Sequence, residues 1–237
     1  MSISSYPGST LPDPTVLIID DHDLVATSLA MSLRMAGLQA RQHAARSRAG
    51  VLAATAELPP GVVLLDLDLG VEPDGTLIDG TALIERLRAT GWRVLVLSGT
   101  ADEVRIGKAL AAGALAGIPK SAALAVLVTA VRRAAQGLEV MHPERRRQFI
   151  DAYRRRQERG RMLGRRLSSL TERERTVLER LAKGQRAQSI ADECVVSVTT
   201  VRTQIRAILG KLGVGSQLEA VVLPERLPAS GGVTTLS

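Results

Sequence analysis

The chain predicts a two-part protein: an α/β doubly wound fold on a five-stranded parallel sheet, followed by an all-α unit of four helices. Three observations predict it. Short apolar runs and helix-period segments alternate five times between residues 16 and 136, the pattern of a parallel sheet covered on both faces. Residues 170 to 223 break instead into four helical segments set off by capping and turn residues. Charge divides the same way, with 12 Lys+Arg against 13 Asp+Glu in residues 1–137 (net −1) and 19 against 11 in residues 138–237 (net +8). The second part is therefore the one that seeks a polyanion. At 237 residues and 45% apolar content, the chain can fill two ordinary cores.

Taken in order, residues 1–14 have neither a basic start nor an apolar stretch of signal-peptide length, so they read as a flexible lead-in. The first strand is Val16 to Ile19, with a helix over Leu24 to Ala36. Leu38 to Arg41 and Arg46 to Glu57 repeat the pair more weakly. Three further pairs follow: Val62 to Leu65 with a helix over Thr81 to Arg88, Val94 to Leu97 with Asp102 to Ala112, and Ala116 to Ile118 with Ala122 to Gln136. Between Leu69 and Gly80 lies a long loop holding two Asp-Gly pairs, Asp74-Gly75 and Asp79-Gly80.

Sheets of this kind bind ligands at the carboxyl ends of their strands. Asp20 and Asp21 close the first strand, Asp66 the third and Ser98 the fourth, and Lys120 follows the fifth. Three carboxylates in one crevice repel one another unless a hard cation lies between them, and Mg²⁺ suits an all-oxygen set. A carboxylate so placed can attack a phosphoryl donor, with metal, hydroxyl and ammonium stabilising the transferred oxygens. The set reads as a phosphoryl acceptor.

Residues 138–169 form a basic linker with ten arginines against four acids. Phe149, Ile150 and Tyr153 give it a thin apolar stripe, which predicts a helix from Pro143 to about Met162. Either it adds phosphate contacts beside a nucleic-acid reader or it is a solvated spacer.

In residues 170–223, Thr171 and Glu174 form a capping box ahead of the stripe Val177, Leu178, Leu181 and Ala182, and Gly184 ends that helix. A short helix over Ala187 to Glu193 turns Ile190 and Ala191 inward, and Cys194 to Val196 make a turn. Ser197 then caps a helix over 198–212 whose faces differ: Val201, Ile205, Ile208, Leu209 and Leu212 share one, while Thr199, Arg202, Thr203 and Arg206 share the other. One face enters a core and the other a major groove. Ser216 and Glu219 cap a last helix ending near Val222, and residues 224–237 have the composition of a flexible tail.

A single cysteine, Cys194, excludes an internal disulfide and reads as a small buried hydrophobe. No segment reaches the roughly 18 uninterrupted apolar residues of a membrane span. A cytoplasmic protein without membrane contact is expected, and the histidines, in unrelated contexts, are assigned no metal.

Two resemblances sharpen this. The motifs IIDDHD, VVLLDLDLG, VLVLSGT and AGALAGIPKS make residues 15–137 resemble the receiver domain of response regulators, a flavodoxin-like fold. LTERERTVLERLAKG, IADE and SVTTVRTQIRAILGKLGV resemble the LuxR-type helix-turn-helix of the NarL/FixJ regulators. The first resemblance implies phosphorylation of Asp66 by a sensor histidine kinase, with Mg²⁺ held by Asp20, Asp21 and Asp66. It makes Ser98 the switch hydroxyl and Lys120 its phosphoryl-stabilising partner, while Asp68 and Thr100 flank the site and tune how long the phosphoryl group lasts. The second implies that Arg202, Thr203 and Arg206 reach bases or phosphates of double-stranded DNA and that Ser197 and Thr200 steady the backbone. Arginine offers guanine O6 and N7 a bidentate fork, in keeping with that role. One recognition helix confers little specificity, so a homodimer on paired half-sites is expected, with Gln217 to Val222 as a dimer contact and RNA polymerase as a further partner.

The chain departs from these families in three places. The 69–80 loop is longer than usual, the switch aromatic is replaced by Gly117, and Arg186, Ala187 and Ser189 stand where a hydroxyl cap, an asparagine and a glutamate are customary. The loop and Gly117 favour a rival reading, a DNA-binding regulator whose receiver does not use phosphate. A remoter one is an aspartyl-phosphate phosphatase, since Asp66-Leu67-Asp68 matches D-x-D, though that motif belongs on a first strand and here ends the third. The expected protein is otherwise not an enzyme.

Overall fold

A computed structural model of the chain describes residues 15–99 and 102–223. It divides into two compact units at Tyr153/Arg154. In the first, five parallel strands, β1 (Thr15–Asp20), β2 (Gln39–Ala44), β3 (Val62–Asp66), β6 (Arg93–Ser98) and β7 (Ala116–Pro119), lie in the order β2-β1-β3-β6-β7. Alternate strand residues enter two cores. Leu17, Ile19, Val63, Leu65, Val94 and Val96 face α3 (Gly80–Ala89) and α4 (Glu103–Ala111), with Val51 of α2 (Arg48–Ala56). Val16, Ile18, Val62, Leu64, Leu95 and Leu97 face α1 (Asp23–Met35) and α5 (Leu124–Ala135). Burial on both faces is why these strands read as unbroken apolar runs.

Because β1 lies between β2 and β3, the chain reverses its direction of winding there, and the carboxyl ends of β1 and β3 open a crevice. Asp20 and Asp66 end those two strands.

The 69–80 segment is not the enlarged loop expected from the sequence. It folds as an antiparallel hairpin, β4 (Asp68–Val71) and β5 (Leu77–Asp79), pairing Asp68 with Asp79 and Val71 with Leu77. Leu69 and Ile78 are buried beneath it, while Asp74-Gly75 makes the turn, with Gly75 at φ +84° and the Thr76 N–H donating to Asp74 Oδ1 at 2.9 Å. An Asp-Gly turn between apolar residues is the ordinary hairpin signal. Glu72 at the tip accepts from Arg48 Nε at 2.9 Å and from its backbone N–H at 3.1 Å, anchoring the hairpin at the first turn of α2.

α6 (Pro143–Ser168) is longer than its apolar stripe predicts and begins against the first unit's core. Phe149 and Ile150 pack there half-buried. Arg146 donates to Leu110 O, Ala114 O and Leu115 O at 2.9, 2.7 and 3.2 Å, adding to the Gly113 N–H already on Leu110 O and reaching carbonyls of the segment that follows α4. Gly107 of α4 is what allows this approach, since a Cβ there would lie 2.1 Å from Phe149 O.

The second unit packs α7 (Glu172–Ala182), α8 (Ala187–Cys194), α9 (Val198–Leu212) and α10 (Gln217–Val222) around Leu170, Val177, Leu178, Ile190, Ala191, Val201, Ile205, Ile208, Leu212 and Ala220. The Thr171–Glu174 capping box is present, and Arg186 supplies α8 with no side-chain cap, as its missing hydroxyl predicts. Cys194 is half-buried at the end of α8 rather than fully enclosed.

The turn after α8 holds a strained residue. Val195 sits at φ +52°, ψ +46° with its side chain 90% exposed, a conformation in which a β-branched residue clashes with its own backbone. Val195→Gly is expected to raise the stability of this unit by about 1 kcal/mol, because it relieves left-handed strain and removes no buried contact. Urea unfolding of the two proteins checks this, and an unchanged or lower midpoint would refute it.

Candidate functional site

The acidic crevice is built by strand ends. Asp20 and Asp66 are buried, and Lys120, just past β7, reaches between them, its Nζ 2.8 Å from Asp20 Oδ2 and 2.7 Å from Asp66 Oδ2. The remaining oxygens are also engaged: Asp20 Oδ1 accepts the His22 N–H at 2.9 Å and Asp66 Oδ1 the Asp68 N–H at 3.1 Å. Burial pushes the Asp66 carboxyl above its ordinary value against the opposing pull of Lys120 and the Asp68 N–H. Burial by itself would lower Lys120, but its bonds to Asp20 and Asp66 hold it above the usual lysine value.

Ligand atoms of Asp20, Asp21, His22 and Asp66 lie within 4.8 Å of one another, a cluster able to hold a metal ion. Its three carboxylates are a hard oxygen set that fits Mg²⁺. The His22 imidazole pairs with Asp21 Oδ1 at 2.7 Å, and that carboxylate raises its pKa. Ser98 is buried at the end of β6, and its carbonyl accepts the Lys120 backbone N–H at 2.8 Å. The fold thus gathers Asp20, Asp21, Asp66, Ser98 and Lys120 at one end of the sheet. Thr100 lies outside the described residues.

Two contacts here have no local signature. Arg105, in the first turn of α4, forms a bidentate pair with Asp68 and donates Nη2 to Leu67 O at 2.9 Å. Gly80 abuts the backbone of Asp66, where a Cβ would lie 2.6 Å from Asp66 O.

In the helical unit, Ser197 accepts the Thr200 N–H at 3.1 Å and shares a 2.8 Å hydroxyl contact with Thr200, fixing the start of α9. Thr199, Arg202, Thr203 and Arg206 are exposed along it, while Val201, Ile205, Ile208 and Leu212 hold its other face in the core. Far from that exposed start, Lys211 Nζ pairs with Glu174 Oε2 at 2.6 Å, and Arg166 donates to Leu212 O at 3.0 Å beside Gly213, which sits at φ +66°. Lys211 and the Thr171 N–H hold the Glu174 carboxyl below its ordinary value. The helix is fixed at both ends.

Comparison with known proteins agrees with both halves. The response regulator receiver domain family matches residues 16–132, and the luxR family of bacterial regulatory proteins matches residues 168–223. The transcriptional regulatory protein LiaR of Bacillus subtilis is 30% identical over 213 residues, covering 89% of this chain and 96% of that protein. The chain belongs to the NarL/FixJ-type response regulators. A second relative, the response regulator protein VraR of Staphylococcus aureus, is 29% identical over 208 residues, 87% of this regulator and 94% of that one. Among solved structures, full-length FixJ from B. japonicum covers 90% of this regulator and 97% of that chain at 24% identity and TM-score 0.44. The RcsB–DNA complex covers 92% and 100% at 19% identity and TM-score 0.49.

This response regulator therefore joins a receiver to a LuxR-type DNA-binding domain and acts in transcription regulation within a two-component system. Its relatives are transcriptional regulators and point to no enzyme family. Among the described residues no helix is long and apolar enough to cross a membrane.

Proposed function

We propose that this regulator is switched by transfer of a phosphoryl group from a sensor histidine kinase to Asp66, and that the phosphorylated form dimerises in the cytoplasm and binds DNA. The observation that carries this reading is Lys120 joining the buried Asp66 and Asp20 at 2.7 and 2.8 Å in the crevice between β1 and β3. Asp66 attacks phosphorus through a carboxylate oxygen as the phosphorus–nitrogen bond of the kinase's phosphohistidine breaks and its imidazole leaves, and Lys120 exchanges its carboxylate contacts for the arriving phosphoryl oxygens. Asp20, Asp21 and Asp66 hold Mg²⁺, which when bound offsets the charge of the acids and of the phosphoryl group. Ser98 and Thr100 are the hydroxyls that respond to its arrival. Arg202, Thr203 and Arg206 read bases or phosphates with Thr199 beside them, and Ser197 and Thr200 set the register of α9. Gln217–Val222 supplies a dimer contact, and RNA polymerase is the downstream partner.

Intact-protein mass after incubation with Mg²⁺ and acetyl phosphate, with size-exclusion light scattering on the same samples, tests this reading. Wild type should gain one phosphoryl group and shift to dimer, and Asp66→Ala should do neither. Absence of an adduct would leave a DNA-binding regulator whose receiver answers to another signal. For the helical unit, Arg202→Ala should weaken operator binding by about 1–3 kcal/mol at fixed salt, measured by fluorescence anisotropy.

A further inference from the structure

We propose that Arg105 sets the lifetime of the phosphoryl group on Asp66 by holding the Asp68 carboxylate away from the line along which water attacks phosphorus. The inference rests on the reading of Asp66 as phosphoacceptor.

Asp68 is placed to intervene. Its backbone N–H donates to Asp66 Oδ1 at 3.1 Å, and its side chain is 63% exposed at the mouth of the crevice. In hydrolysis a water oxygen bonds to phosphorus, the bond from phosphorus to the Asp66 oxygen breaks, Asp66 departs as carboxylate, and the water's proton leaves with inorganic phosphate. A free carboxylate beside that water accepts its hydrogen bond, aligns it and draws off the proton as the attack proceeds.

Here that carboxylate is occupied. Arg105 Nη1 meets Asp68 Oδ2 at 2.9 Å, Nη2 meets Oδ1, and Nη2 also donates to Leu67 O at 2.9 Å. A planar fork anchored to backbone fixes the carboxylate's direction as a single ammonium does not.

The hairpin explains why α4 carries this residue. Asp68 and Asp79 are paired across β4 and β5, a like-charge opposition that weakens a ladder. One turn along α4, Lys108 Nζ meets Asp79 Oδ2 at 2.5 Å. Arg105 and Lys108 thus grip the two strands of the hairpin, and the inserted segment and the acceptor loop are held by one helix.

The test is the decay of the phosphorylated protein, followed by intact mass after removal of acetyl phosphate, in wild type, Arg105→Met, Arg105→Lys, Asp68→Ala and the Arg105→Met/Asp68→Ala double variant. Arg105→Met should shorten the lifetime by about tenfold, less than the roughly hundredfold or more of a fully positioned proton acceptor because the freed carboxylate is no longer fixed in direction. Arg105→Lys should fall between, and the double variant should decay like Asp68→Ala alone. An unchanged lifetime in Arg105→Met, or the same shortening without Asp68, overturns the proposal while leaving Asp66 as acceptor. A wild type that takes up no phosphoryl group overturns both.

Discussion

Lys120→Met is expected to cost the first unit about 3–5 kcal/mol at neutral pH, because it leaves two buried carboxylates without their shared cation. Asp20 is fully enclosed and Asp66 1% exposed, so water cannot replace the ammonium without opening the crevice. The deficit should depend on pH in a definite direction. Burial already raises Asp66, and a group raised in the folded state contributes stability that is present below its unfolded value of 3.8 and lost as pH rises through the folded one. Removing Lys120 raises that folded value further, so the gap between variant and wild type should narrow as pH falls from 7 toward 5. Mg²⁺ should narrow it too, stabilising Lys120→Met more than wild type, since a cation among Asp20, Asp21 and Asp66 substitutes for the lost charge. Thermal unfolding at pH 7 and pH 5, with and without 10 mM Mg²⁺ as a roughly saturating amount, measures all of this. Equal deficits in every condition would show that Lys120 acts through packing rather than charge.

Gly107→Val should be comparably severe for a steric reason. A Cβ at Gly107 would lie 2.1 Å from Phe149 O, 2.7 Å from Phe149 C and 3.0 Å from Tyr153 Cβ. Two of those three atoms are backbone, and backbone in a helix cannot step aside as a flexible side chain does. The start of α6 would have to lift from α4, exposing Phe149 and Ile150 and breaking the three Arg146 bonds to Leu110, Ala114 and Leu115. About 3 kcal/mol is the expected cost, at the upper end for overpacking. Hydrogen exchange provides the specific check: amides of 143–153 should lose protection while those of β1 and β3 keep theirs. A variant that unfolds as wild type does, with those amides protected, would show that α6 yields without leaving.

The covered sheet, its strand-end acids and the two-faced α9 could be read from single segments. An apolar run such as Val62–Leu65 ending in Asp66, or Val201, Ile205, Ile208 and Leu212 at helical spacing, carries its environment in its own periodicity. Capping is likewise a matter of neighbours, which is why the Thr171–Glu174 box and the Ser197 cap followed from their spacing. The hairpin at 68–79 was legible too, through Asp74-Gly75, but the length of the segment pointed to a loop. Val195 gave no sign, because no glycine marks its left-handed turn.

What only the tertiary structure decided are partners distant in sequence. Lys120 meets Asp66 and Asp20 across separations of 54 and 100 residues, Arg105 meets Asp68 across 37, and Lys211 meets Glu174 across 37. The first two follow from the order β2-β1-β3-β6-β7, which sets β3 between β1 and β6 and brings the start of α4 over the segment that follows β3. Arg146 in a run of basic residues looks like its neighbours until α4 and the segment after it supply carbonyls for it to bond. Periodicity records which face of an element is buried, but not which other element buries it, and ion pairs and close glycine contacts depend on that second fact.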